Sequence, residues 1–312
     1  MPNGLEFIKM GNRRTGPICG LMGILSQEKQ VECMKLTIGE HAGFCFGVRR
    51  AVDKAFACAS EKLPCVTLGP LIHNPQEVAR LQEAGVCSVD SLDQVQEGQT
   101  VIIRSHGVTP EVYAACQARG IPVIDCTCPH VAHIHQLVQQ YSQDGDAVII
   151  VGEPDHPEIV GIAGWAHGEV FILPTREAAE NAQLPCRALV VAQTTLRRDR
   201  FEDVLSVIRS KVSDLTVRMT ICAATSKRQQ EAEALSHEAD VMIIVGGRNS
   251  SNTKKLLETC RLRCERAYQV ETPDDVPQGI IRNTDRVAIT AGASTPQWLL
   301  EDVRRAIEAD AT

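Results

Sequence analysis

Apolar residues in this chain gather in short runs, separated by stretches in which they recur at helical spacing. The runs at 35–39, 65–68, 101–104, 123–125, 147–151, 170–173, 188–192, 217–221, 241–245 and 287–290 predict strands. Between them, Val48, Val52, Ala55 and Ala59 fall at i, i+4, i+7 and i+11, and Ile134, Leu137, Val138 and Tyr141 share one face of another helix. This alternation predicts an α/β fold with largely parallel sheets. A longer period lies over it. Cys45 follows a strand and opens the 48–59 helix; Cys128 follows 123–125, with Pro129 in a first helical turn; Cys222 follows 217–221, ahead of a helix capped by Ser226. Strand, cysteine and helix thus recur three times, at spacings of 83 and 94 residues. The pattern predicts three similar lobes, each bringing one cysteine to a shared centre.

Composition narrows the class. The 312 residues are 44% hydrophobic and 23% charged, as in ordinary globular proteins. No apolar run exceeds five residues, whereas a membrane span needs roughly 20. The formal charge of −7 gives no basic footprint for nucleic acid. Residues 1–34 lack a secretory apolar core, and Met34 opens the first strand run, so 1–34 is expected to be an extension and the protein cytoplasmic.

Thirteen cysteines is a high and odd number for a chain without a secretory signal, so most are expected to be buried small hydrophobes. A cysteine at a helix N-terminus differs, because the helix dipole favours its thiolate and suits it to a metal. Three core thiols at these positions remain the alternative.

The strand ends carry the remaining chemistry. They run into Arg104-Ser-His-Gly, Gly152-Glu-Pro-Asp-His-Pro-Glu158, Gln193-Thr-Thr, Gly246-Gly-Arg-Asn-Ser-Ser-Asn-Thr253 and Ala291-Gly-Ala-Ser294, with His73 after another short run. Ligands of open α/β sheets collect at such ends, and Ser250–Thr253 opens a helix at 254–259 whose free N–H groups favour phosphate. Neither a Walker A motif nor G-x-G-x-x-G is present. Caps and turns are the plainer reading of any one loop. For His73, His106 and His156 the plainer reading is a solvated loop histidine. His130, His133 and His135 read as solvated helix surface, and Glu158 reads equally as a proton carrier or as a surface helix-start carboxylate.

Eight segments in order resemble one family. They are Gly-Phe-Cys-Phe-Gly-Val-Arg-Arg-Ala-Val, Ile-His-Asn-Pro, Arg-Ser-His-Gly-Val, Asp-Cys-Thr-Cys-Pro, His-Pro-Glu, Gln-Thr-Thr-Leu, Arg-Asn-Ser-Ser-Asn-Thr and Thr-Ala-Gly-Ala-Ser. The match, over about 34–303, is to the LytB-type 4-hydroxy-3-methylbut-2-enyl diphosphate reductases, which close the methylerythritol phosphate route to isoprenoids. The resemblance implies a pseudo-threefold trefoil of small α/β lobes around a 4Fe–4S cluster, with lobes at 35–128, 129–221 and 222–312. It implies cluster ligation by Cys45, Cys128 and Cys222, leaving one iron open to substrate. His73, His106, His156, Thr194, Ser250, Ser251, Asn252 and Ser294 match substrate-binding positions, most of them for the diphosphate. Glu158 matches the proton donor, acting directly or through Thr194. A ferredoxin or flavodoxin would supply electrons, with no nucleic acid or membrane partner.

Some features depart from the family. Cys126 adds a thiol two residues before Cys128, the loop before His156 is unusually acidic, and Arg197-Arg198 is a candidate contact for an acidic electron donor. Two other classes remain open at this point: a non-catalytic phosphate-binding module, and a structural-zinc or redox-sensing protein using Cys126, Cys128 and a histidine. Against zinc, paired C-x-x-C knuckles are missing.

Overall fold

In chain order the elements are β1 (Lys35–Ile38), α1 (Phe46–Ser60), β2 (Cys65–Leu68), α2 (Pro75–Glu83), β3 (Cys87–Val89), β4 (Thr100–Ile103), α3 (Pro110–Ala118) and β5 (Val123–Asp125). Then come α4 (Pro129–Tyr141), β6 (Ala147–Val151), α5 (Pro157–Gly164), β7 (Val170–Ile172), α6 (Arg176–Asn181), β8 (Arg187–Ala192), α7 (Arg198–Lys211) and β9 (Asp214–Val217). The last are α8 (Ala223–Glu238), β10 (Val241–Val245), α9 (Ser251–Arg261), β11 (Ala267–Val270), β12 (Arg286–Ala291) and α10 (Gln297–Asp310). This computed structural model describes residues 34–310; the expected extension, apart from Met34, lies outside the described residues.

The strands form three four-stranded parallel sheets, ordered β3-β2-β4-β5, β7-β6-β8-β9 and β1-β12-β10-β11. The expected α/β class with three similar lobes is what the chain adopts. Central strands such as Thr100–Ile103, Ala147–Val151 and Val241–Val245 are buried along their whole length, so they are covered on both faces and read as continuous apolar runs. In the second sheet, Ile149, Val151, Val190 and Ala192 face α7 through Phe201, Val204 and Ile208. Val148, Ile150, Leu189 and Val191 face α4 and α5 through Ile134, Val138, Ile159 and Ile162. That is the two-residue period of a strand serving two cores.

One expected boundary is corrected by pairing. Lys35–Ile38 was expected to open the first lobe, but it pairs with β12 and completes the third sheet. β1 is therefore the counterpart of β5 and β9, each the strand that precedes a cysteine. The helix after the cysteine then packs on the next sheet: α1 through Val48, Ala51 and Val52 against Cys65, Leu71 and Ile102 of the first. Each cysteine sits where the chain passes from one sheet to another.

Local differences have simple causes. The strand expected at 217–221 is Asp214–Val217, paired with Arg187–Val190. The helix after Cys222 starts at Ala223, with Cys222 rather than Ser226 as its cap. Cys87–Val89 and Ala267–Val270 are edge strands too short or too polar to stand out in the sequence.

Candidate active site

Cys45, Cys128 and Cys222 are the N-caps of α1, α4 and α8, and none of their side chains caps its helix. Their backbone bonds repeat. The Cys45 N–H donates to Ala293 O at 3.2 Å, that of Cys128 to Ser105 O at 3.0 Å, and that of Cys222 to Thr194 O at 3.0 Å. Each acceptor lies two residues beyond β12, β4 or β8, the strand paired with the one before that cysteine. Each bond extends a parallel ladder past its last strand residue and fixes the cysteine at the sheet's carboxyl end. The cysteine carbonyls in turn accept from Arg49, Ala132 and Ser226, the first helical bonds. With its backbone committed, each Sγ is free to act as a ligand.

The three cysteines line one pocket with about 680 Å³ of empty space. α1, α4 and α8 have no acid in their first turns, whereas α2, α3, α5, α6 and α7 do. Their dipoles are therefore left to favour thiolates. Burial pushes the Cys128 thiol up, and Cys45 and Cys222 add to that, against the N–H groups of His130 and Val131. A cationic metal centre is the chemical complement of thiolates from three helix N-termini that line one pocket, so this donor set fits one. Arg228 stands beside them, buried, with Nε on His41 O and one terminal nitrogen on Gly43 O, both at 2.8 Å. Cys126 is fully buried in the core with Val48, Ile102 and Leu71, and it does not line the pocket.

The polar end of the pocket is built from histidines. The rings of His73, His106 and His156 lie 4.8–5.6 Å apart, centre to centre. Their ligating nitrogens fall within 4.8 Å of one another, close enough for a metal ion. Charge argues for an anion instead. Burial, then Arg104, lowers the His73 pKa; burial, then the other two histidines, then Arg104, takes His106 well below its usual range. Burial and His73 bring His156 to about 4. His156 Nδ1 accepts the Glu158 N–H at 3.2 Å, so in the neutral ring the proton sits on Nε2.

Ser250 caps α9, and its side chain accepts from the Thr253 N–H. Ser251 and Asn252 follow in the first turn, both buried, and Ser294 comes from the segment after β12. Neither amide atom of Asn252 has a partner, and the same holds for His73 Nε2, His106 Nδ1 and Thr195 Oγ1. Buried polar groups left unpaired are exceptional in folded proteins, and these five atoms share one pocket, although others such as Tyr141 and Thr290 lie elsewhere.

Glu158 is held by a single residue. The Thr194 N–H donates to Oε1 at 2.6 Å, and the Thr194 hydroxyl donates to Oε2 at 2.7 Å. Burial raises the Glu158 pKa, against both Thr194 bonds and Lys255 and helped by Glu153. A carboxyl that burial makes hold its proton more tightly than usual, joined to a hydroxyl in the same pocket, suits proton delivery.

All twelve residues singled out from the sequence line this pocket. Three plain readings are corrected: Glu158 is 2% exposed rather than a surface carboxylate, His73, His106 and His156 cluster, and His135 is buried against Trp165. His130 is exposed as expected, but at the pocket rim. Arg197 is not free for a partner, being paired with Asp199 at 2.6 Å. Sequence reasoning missed Arg228, Arg104 and Lys255. Lys255 had a signal, one turn after Ser251, and Arg104 opens the strand-end segment Arg104-Ser-His-Gly; nothing in the sequence set Arg228 apart.

The family model for LytB protein matches residues 36–308. The 4-hydroxy-3-methylbut-2-enyl diphosphate reductase of Aquifex aeolicus is 43% identical over 277 residues, covering 88% of this chain and 96% of its own. The reductase of Caldanaerobacter subterraneus subsp. tengcongensis is 41% identical over 274 residues, covering 86% and 95%. Among solved structures, an (E)-4-hydroxy-3-methyl-but-2-enyl diphosphate reductase described as the terminal enzyme of the non-mevalonate pathway matches at 41% identity and TM-score 0.66, over 88% of this chain and 99% of its own. A Plasmodium falciparum reductase matches at 26% identity and TM-score 0.82, over 89% and 88%. No described helix is long and apolar enough to cross a membrane. With its three sheets, its cysteine triplet and this match over nearly all the described residues, the chain belongs to the LytB family.

Proposed function

We propose that the protein is a 4-hydroxy-3-methylbut-2-enyl diphosphate reductase. It removes the allylic hydroxyl of its substrate as water, taking up two electrons and two protons, and yields isopentenyl and dimethylallyl diphosphate. The observation that carries this reading is the convergence of three unused thiols, a buried carboxyl and a cluster of three histidines beside Arg104 on one pocket.

Cys45, Cys128 and Cys222 hold a 4Fe–4S cluster. When bound, it supplies electrons singly and offers one iron without a thiolate. His73, His106 and His156 donate hydrogen bonds to the diphosphate, joined by Ser250, Ser251 and Asn252 at the start of α9 and by Ser294 from the segment between β12 and α10. When Glu158 is protonated its Oε2–H donates to Thr194 Oγ1, whose own proton turns to the departing hydroxyl; the 2.7 Å contact, in which the hydroxyl otherwise donates to the carboxylate, is the route. The substrate's diphosphate is the source of the second proton, since Glu158 is the only acid lining the pocket among the described residues. Electrons arrive from a ferredoxin or flavodoxin type carrier.

The test is iron, acid-labile sulfide and zinc per chain after anaerobic purification and reconstitution, followed by turnover of the hydroxymethylbutenyl diphosphate with a one-electron donor. The expected result is close to four irons and four sulfides with both products formed. Stoichiometric zinc without sulfide refutes the reading and leaves a phosphate-binding module.

A further inference from the structure

Glu153 stands behind the wall of the pocket, in the loop between β6 and α5. Three polar atoms meet there. Lys255 Nζ donates to Ser251 Oγ at 2.7 Å and pairs with Glu153 Oε1 at 2.9 Å, and Ser251 Oγ donates to the same Oε1 at 2.9 Å. A hydroxyl carries one proton and an ammonium can only donate, so the assignment is forced: Ser251 accepts from Lys255 and spends its own proton on Glu153. Ser251 lines the pocket, yet in this arrangement it has no proton to offer a ligand there. The charge of Lys255, whose side chain is only 10% exposed, is likewise cancelled by the carboxylate.

Glu153 itself is loosely held. Its side chain is 50% exposed, and it faces a second cavity, also lined by Lys255, Arg197 and Arg200, on the far side of the wall. That cavity carries both signs of charge, with Arg176 and Arg200 beside Glu177, Asp203 and Glu258, and it leaves Glu153 room to move away from Ser251.

We propose that Glu153 sets the affinity of the pocket for its diphosphate, by holding the Ser251 proton and the Lys255 charge until an anion takes them over. This rests on the reading of the pocket as a diphosphate site. A ligand anion competes with Glu153 for one hydroxyl proton and one ammonium charge, so part of its binding is spent displacing that carboxylate. Glu153 touches neither substrate nor metal; it acts through Ser251 and Lys255 as a positioning residue.

The experiment is calorimetric titration of the full chain with inorganic pyrophosphate over a range of salt concentrations. Glu153→Gln should lower the Kd about threefold to thirtyfold and steepen its salt dependence, because the ammonium is no longer neutralised. Lys255→Met should raise the Kd about tenfold or more. A merely structural role would weaken binding in both variants. Glu153→Ala, measured alongside, should tighten binding as well. An unchanged or higher Kd in both Glu153 variants overturns the proposal while leaving the diphosphate reading intact. Failure of the unaltered protein to bind pyrophosphate overturns both.

Discussion

A methyl group placed on Gly47 would stand 2.7 Å from Cys128 Sγ and 3.1 Å from its Cβ. The second residue of α1 is thus pressed against the cap of α4, and two cysteine-bearing helix starts meet through a missing side chain. In a helix, alanine is worth roughly 0.5–1 kcal/mol more than glycine. Overpacking costs about 1–3 kcal/mol, more than that gain, so Gly47→Ala should lower the stability of the metal-free fold somewhat while moving the Cys128 thiol and lowering iron per chain. Full iron content in this variant would show that the contact does not position a ligand.

The cysteines separate by location. Cys45→Ser, Cys128→Ser and Cys222→Ser should each lose or damage the cluster, read as iron and sulfide per chain. Cys126→Ala should keep both, because that thiol is buried in the core under α1 and does not line the pocket of the other three. Its cost is a small core cavity, about 1 kcal/mol in urea unfolding. Retained iron in all three serine variants would sink the cluster assignment.

The site was legible in the sequence because its residues sit at strand ends, where a chain pattern and a spatial pattern coincide. Cys128 and Ser250 both follow a recognisable strand and open a recognisable helix. What the sequence could not give were contacts between lobes. Arg228 reaches the carbonyls of His41 and Gly43 across more than 180 residues of chain, and β1 finds β12 at the far end of the protein. Burial was also hidden. Glu158 and His135 are polar residues in helices, and only packing decides whether such residues meet water.

Glu158→Gln preserves the shape of the carboxyl, and its amide oxygen can still accept from the Thr194 N–H while its NH2 donates to Thr194 Oγ1, but it has no acidic proton to give. Iron content and pyrophosphate affinity should hold, while turnover falls by roughly two to four decades, the usual worth of a positioned acid. Near-normal turnover takes Glu158 out of the reaction.

Acid should destabilise the ligand-free chain. Burial brings both His135 and His156 to about 4 in the fold, whereas an exposed histidine titrates near 6.5. Between these values the unfolded chain binds protons that the folded chain refuses. Stability from these residues is therefore full above about pH 6.5 and is lost as pH falls through 4, by up to roughly 3 kcal/mol each. Glu158 works in the opposite direction, because its raised pKa favours the fold as the carboxyl protonates. His73 and His106 are lowered too, so four histidines act against one carboxyl and urea midpoints should fall between pH 7 and 5. His135→Gln, outside the pocket lining, should flatten that fall; a flat profile in the unaltered protein would show that these imidazoles are already protonated in the fold.

Asn252 sets stability against binding. Its amide is buried with neither polar atom paired, an arrangement that costs the fold roughly 1–3 kcal/mol of uncompensated desolvation. Asn252→Ala removes that cost along with the side chain, so the ligand-free protein should melt no lower than before. Binding should move the other way, because the amide is a ready donor in the first turn of α9 beside Ser250 and Ser251. Each lost bond to a charged oxygen is worth about 1.5–3 kcal/mol, or roughly tenfold to a hundredfold in pyrophosphate Kd. Melting temperature and Kd measured on one sample decide the matter. A fold weakened together with unchanged affinity would make Asn252 a structural residue and move the diphosphate contacts to Ser250, Ser251 and the histidines.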